Sequence, residues 1–198
     1  MLLVLAGHSA MAMPTGTVAQ ASDVVGTRHA ASSTQDAMDL AKGIAAIAPD
    51  DEATARQLDS LAKADELATQ IIDFAGRYVG RPYRRGATGP KSFDCSGFTS
   101  FIFKNAGVEL NRTSRAQYTQ GRSVDRDDIR PGDLLFFAGR RGGRTVGHVG
   151  MATDVNPDDG AVTFIHASSS RGIRHDQLSA KYFSSRFLGA RRVIHTDT

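Results

Sequence analysis

Cys95 is the only cysteine in 198 residues, and it lies in the stretch Phe93-Asp94-Cys95-Ser96-Gly97-Phe98. Downstream, Phe98, Phe101, Ile102 and Ala106 recur at helical spacing and Gly107 supplies a stop, so Cys95 falls where a loop becomes a helix. A thiol in a first helical turn feels the positive end of the helix dipole and the unpaired N–H groups there. Both favour the thiolate, which is the nucleophile. Two histidines occupy strand-like segments, Gly147-His148-Val149-Gly150 and Phe164-Ile165-His166-Ala167-Ser168. A cysteine with two such histidines points to acyl transfer through a covalent thioester. Most lone cysteines are small core hydrophobes. Asp94, Ser96 and Gly97 make poor core neighbours, and they favour the chemical reading.

The histidines must share a face to act together. Asn156-Pro157-Asp158-Asp159-Gly160 is a strong turn signal between the two strand-like runs. A hairpin centred near 157 or 158 sets His148 opposite His166 or one diagonal step away. Any register in which paired numbers add to an even total puts both rings on one face. Opposed Cβ atoms are roughly 4.5–5.5 Å apart and diagonal ones roughly 7–8 Å, which lets the rings share a hydrogen bond. One imidazole can then take the proton of Cys95 while the other orients it. An odd-total register would separate them. A metal held by Cys95, His148 and His166 is disfavoured, because there is no compact ligand pair at metal-site spacing. His8, His29, His175 and His195 are read as tail, linker, loop and strand-end residues without a role.

Elements able to position these groups follow in order. Residues 1–13 begin with the apolar Met1–Ala6 and end near Ala10-Met11-Ala12, like the last part of a secretory signal, but lack a basic start. Residues 14–64 form a linker, small and polar to about residue 48, with a short helix expected over 37–47 and helical composition over 50–67. The folded domain is expected over 65–198. It opens with an amphipathic helix over 65–79, ended by Gly80 and Pro82. A capped short helix over 112–118 follows the cysteine helix. Strands are expected over 134–138, 147–153, 161–167 and 187–194.

Bulk composition sets limits. One cysteine excludes an internal disulfide, and no CxxC spacing suggests structural zinc. The apolar start is too short to span a bilayer. The net charge of +3 is uneven: residues 1–64 carry −3 and residues 65–198 carry +6. A basic domain suits an acidic polymer, although a soluble arginine-rich surface explains the charge equally well. No basic run is interleaved with aromatics, which argues against nucleic acid.

Taken together, Tyr83-Arg84-Arg85-Gly86, the Cys95 stretch, Arg112-Thr113-Ser114, Arg130-Pro131-Gly132-Asp133-Leu134 and the two histidine segments resemble the NlpC-type cysteine peptidases, in order, over roughly residues 66–195. The resemblance implies an α+β, papain-like fold, with the cysteine helix packed on an antiparallel sheet. It implies an exported enzyme of the periplasm or cell wall that cleaves amide bonds in peptidoglycan stem peptides or cross-links, without metal or cofactor. Carried over residue by residue, it makes Cys95 the nucleophile, His148 the base and acid, and His166 the orienting residue. Tyr83 then lines the site, and Asp94 and Ser114 lie close to substrate. Arg85 and Ala87 replace a tryptophan and a glycine usual in the family's loop, which bears on substrate preference. Amidase or acyltransferase chemistry by the same thiol is the alternative, and a non-catalytic wall-binding module is a further one. The sequence assigns no oligomeric state.

Overall fold

The computed structural model describes residues 52–139 and 142–194. The expected signal, the short helix over 37–47, and His8, His29 and His195 lie outside the described residues. Helix α1, Glu52–Gly76, is the first element among the described residues. It starts well before residue 65, so the expected domain start falls inside an unbroken helix. Only its second half has a core face. Ala68, Ile71 and Ala75 are buried at helical spacing, whereas Leu58 and Leu61 are exposed.

Helix α2, Cys95–Asn105, and the short α3, Ser114–Gln117, precede most of the sheet. Asp94 caps α2 and Thr113 caps α3, each accepting a backbone N–H through its side chain. The strands are β1 (Arg122–Val124), β2 (Leu134–Ala138), β3 (Val146–Val155), β4 (Val162–Ser168), β5 (Gly172–Gln177) and β6 (Phe187–Arg192). A short helix, α4 (Lys181–Ser184), joins the last two strands. They form one antiparallel sheet in the order β1-β6-β2-β3-β4-β5.

The sheet has two cores. Leu134, Phe136, Val149, Met151 and Ile165 face α1 and α2, in a cluster with Ile71, Phe93, Phe98 and Ile102. Leu135, Phe137, Ala152, Phe164 and Ala190 face the other way and pack with Val124, Ile129, Leu178 and Phe183. Burial on both faces explains why β2 reads as a continuous apolar run. Buried Asp133, in the turn before it, accepts from Arg192 through both carboxylate oxygens, at 2.7 Å each, and from the Arg130 N–H at 2.8 Å. That ties the turn to β6. Strand β5 is unexpected: its sequence, Gly-Ile-Arg-His-Asp-Gln, has one large apolar residue. His175 therefore sits on an edge strand, exposed, and not in a loop.

Candidate active site

The thiol is placed by the start of α2. Asp94 Oδ1 accepts the Gly97 N–H at 2.7 Å, closing the first turn directly after the cysteine. Its other oxygen accepts the Gly86 N–H at 2.9 Å, which draws the preceding loop against the helix start. The loop comes close enough that a Cβ on Gly97 would strike the Ala87 carbonyl oxygen, so only glycine fits there. Arg112 completes the arrangement, donating to Asp94 Oδ1 at 3.1 Å and Oδ2 at 2.7 Å, and to the Ser96 hydroxyl at 3.2 Å.

The sulfur sits where the sheet opens. The last β3–β4 pair is Gly150 with His166, and β4 continues beyond it paired with β5. The Val149 N–H is thereby available to the sulfur, together with those of Ser96 and Cys95. These donors favour thiolate, as expected for a helix start, but they do not win. Burial, and then the Asp94 carboxylate, push the Cys95 thiol above its ordinary 9.0. The expected dipole and N–H groups are present at the helix start, and desolvation opposes them.

The histidines share the other face of the sheet. His148 lies opposite Phe137, and His166 lies opposite Gly150, so the two are diagonal neighbours. The rings meet edge to face with centroids 4.9 Å apart, and His148 Nε2 is 2.9 Å from His166 Nδ1. The missing side chain at Gly150 makes room for this: a Cβ there would lie 3.0 Å from His166 Cβ and 2.9 Å from the Ile165 carbonyl oxygen. Burial, and then the neighbouring imidazole, lower the His148 pKa to about 3. Burial lowers that of His166 as well, against the opposing pull of Asp176. Both rings are therefore neutral at neutral pH.

Cys95, His148 and His166 open onto one cleft of about 770 Å³, with Tyr83 on its wall. Burial, then Cys95 and Asp94, raise the Tyr83 hydroxyl above its ordinary 10.0, which keeps it a neutral donor. Asp94 and Ser114 are not among the described side chains lining this cleft. Asp94 is occupied as cap and ion-pair partner, and Ser114 opens α3. Sequence reasoning missed Asp176, whose Oδ2 is 2.9 Å from His166 Nε2, and Arg174, which donates to Asp176 Oδ1 at 2.7 Å. Their alternation within a polar segment was the available signal, two residues apart on one face of a strand. Among the described residues no group of three or more His, Cys, Asp or Glu could hold a metal ion.

Comparison with known proteins decides the family. The NlpC/P60 family model matches residues 80–192. The chain belongs to the NlpC/P60 family. The match covers both histidines, the cysteine helix and all six strands. Among curated relatives, the murein DD-endopeptidase MepS/murein LD-carboxypeptidase of Escherichia coli K12 is 33% identical over 144 residues, 72% of each chain. The probable endopeptidase p60 of Listeria seeligeri is 43% identical over 101 residues, 50% of this chain but 19% of the Listeria protein. Among solved structures, an NlpC/P60 family protein from Bacillus cereus ATCC 10987 superposes with a TM-score of 0.59 at 33% identity. That match covers 65% of this chain and 40% of that one. The α+β fold of the family is the fold described above, with its antiparallel sheet packed against helices.

Proposed function

We propose that this NlpC/P60 domain is a cysteine endopeptidase that hydrolyses amide bonds in peptidoglycan peptides. The observation that carries it is one cleft shared by a helix-start thiol and a hydrogen-bonded pair of neutral imidazoles. The Escherichia coli relative named as a murein DD-endopeptidase supports the substrate class, and the Listeria relative named as a probable endopeptidase supports the reaction. His148 spends Nε2 on His166, which leaves Nδ1 for the thiol. Because the thiol and the imidazole are both neutral at rest, the proton leaves Cys95 for His148 as the sulfur attacks the amide carbonyl. The negative charge formed on the carbonyl oxygen needs donors, and backbone N–H groups at the start of α2 supply them. His148 then gives its proton to the departing amine, and the amide C–N bond breaks to leave a thioester on Cys95. Water, deprotonated by His148, hydrolyses that thioester and restores the thiol. No step requires a cofactor.

A polymer of the wall lies outside the cytoplasm, so the same reading makes the protein exported, acting in the periplasm or wall. Among the described residues no helix is long and apolar enough to cross a membrane.

Digestion of purified muropeptides followed by mass spectrometry tests the proposal. The wild-type chain should release peptide fragments whose new ends name the bond. Cys95→Ser should release none, and His148→Ala should lose at least the roughly 10²–10⁴-fold that acid–base catalysis supplies. Full activity in Cys95→Ser would refute it. Release of peptide from sugar, or transfer to an added amine instead of water, would favour amidase or acyltransferase chemistry.

A further inference from the structure

The His148–His166 bond extends through Asp176 to Arg174, and the four groups hold more information than their distances. In the β4–β5 register, His166 faces Arg174 and Phe164 faces Asp176, so Arg174 and Asp176 project from the same face as the imidazoles. Asp176 Oδ2 meets His166 Nε2 at 2.9 Å, and Asp176 Oδ1 meets an Arg174 guanidinium N–H at 2.7 Å. Arg174 also donates through Nε to the His175 carbonyl at 3.3 Å, which fixes its orientation. Phe183 closes the outer side, its ring centroid 5.3 Å from that of His166.

From this geometry we infer that Asp176, anchored by Arg174, is a positioning residue that decides which nitrogen of His148 carries a proton. A carboxylate can only accept, so His166 must donate from Nε2. A neutral imidazole has one N–H, so His166 Nδ1 is then an acceptor and His148 Nε2 must be the donor. His148 consequently holds a lone pair at Nδ1, the nitrogen left for the thiol. The proton placement runs from the edge strand through His166 to His148, the ring that shares the cleft with Cys95. The kinetic part of this inference rests on the proposed thiol chemistry. The proton placement does not.

Asn at position 176 makes a sharp test, because Arg174 removes the freedom of the amide. Arginine has no acceptor, so the amide oxygen must turn to Arg174 and the NH₂ must face His166 Nε2. That reverses every bond: His166 donates from Nδ1, His148 accepts at Nε2, and its proton moves to Nδ1, where it blocks the thiol. Adding Arg174→Leu frees the amide to turn its oxygen back to His166.

The readouts are ¹⁵N NMR of the histidine rings in the full chain and steady-state kinetics on one muropeptide. Wild type should show both rings protonated at Nε2, and Asp176→Asn should show both at Nδ1. kcat should fall by roughly 10²–10⁴-fold in Asp176→Asn, the scale of a wrong-tautomer triad, with KM held within about twofold. The Arg174→Leu/Asp176→Asn double variant should regain about tenfold or more and return to the Nε2 tautomers. A wild-type His148 protonated at Nδ1 would overturn the inference without any variant. Unchanged tautomers and rate in Asp176→Asn, or a double variant no faster than the single, would overturn it too. Should the chain cleave no muropeptide, the proposed function falls, and the nitrogen shifts still decide this point.

Discussion

Asp94 does three jobs with two oxygens, so its replacement by alanine is a quantitative test of how the nucleophile is held. Asp94 is 8% exposed, and its carboxylate accepts from Gly97, Gly86 and Arg112. Losing the cap alone costs about 1 kcal/mol, within a range of roughly 0.5–2. Leaving the Gly86 N–H without its acceptor adds about 1–2 kcal/mol. The ion pair adds less than its geometry suggests, at most about 1 kcal/mol, because the Arg112 side chain is 44% exposed and screened. Asp94→Ala should therefore lose about 2–4 kcal/mol. Asp94→Asn keeps an oxygen for Gly97 and should lose about 1–2.

Urea unfolding followed by circular dichroism measures both, with an unchanged slope showing that the unfolded surface is the same. The pH dependence supplies a second check. Burial alone would raise the Asp94 pKa, but the bonds from Arg112, Gly97 and Gly86 overcome it, and the carboxyl lies below its ordinary 3.8. A depressed carboxyl contributes stability above its unfolded value and loses it as pH falls through the folded one. The gap between wild type and Asp94→Ala should therefore be constant above about pH 5 and narrow below 3.8. An alanine variant within about 0.5 kcal/mol of wild type would refute this account of the helix start. So would an asparagine variant as unstable as alanine, since the cap would then contribute nothing.

Three more outcomes are expected. Gly150→Ala should lower kcat at least about tenfold while the chain still folds, because the added methyl crowds His166 Cβ and Ile165; muropeptide kinetics beside a circular dichroism spectrum check it. Stability should fall as pH drops from 6.5 towards 3, because the unfolded chain protonates histidines that His148 and His166 keep neutral in the fold. The slope is up to roughly 1.4 kcal/mol per pH unit for each such proton, and urea midpoints at pH 7, 5 and 4 should be shallower in His148→Gln. Iodoacetamide should label resting Cys95 more slowly than a free thiol at pH 7 and accelerate above about pH 9, since burial raises the thiol; fast neutral labelling would restore the thiolate reading.

Much of this site was legible in residue types, because local rules govern what they report. The cap at Asp94, the helix stop at Gly107, the buried run of β2 and the alternation of His148 against Val149 are each set within a few neighbours. Three things were not local. The long α1 carries its core face only after Ala64, and its exposed first turns have the composition of a linker. Strand β5 has little apolar content, because it is an edge strand whose outward positions face solvent, so only the polar alternation of Arg174 and Asp176, and no apolar one, marked it. The Cys95 proton depends on the sum of burial, a nearby carboxylate and three N–H groups, which no spacing reports.

The hairpin shows how close a local rule can come to failing. Near its tip the paired numbers add to an odd total, Val155 with Val162 and Asp154 with Thr163, the register that would set the two histidines on opposite faces. The β-bulge between Ala152 and Asp154 consumes one residue, and from Ala152 with Phe164 onward the total is even. Before the bulge Val149 and Met151 are fully buried, whereas beyond it Val155 is only partly so. What the shift achieves is local to the far end: Gly150 arrives opposite His166, and His148, two residues further, lands one diagonal step from it. A turn read as five residues from Asn156 to Gly160 predicts the even register directly. The molecule reaches the same pairing by a longer turn and a compensating bulge. The face shared by the two imidazoles is therefore set by an irregularity in β3, and not by the turn that joins the strands.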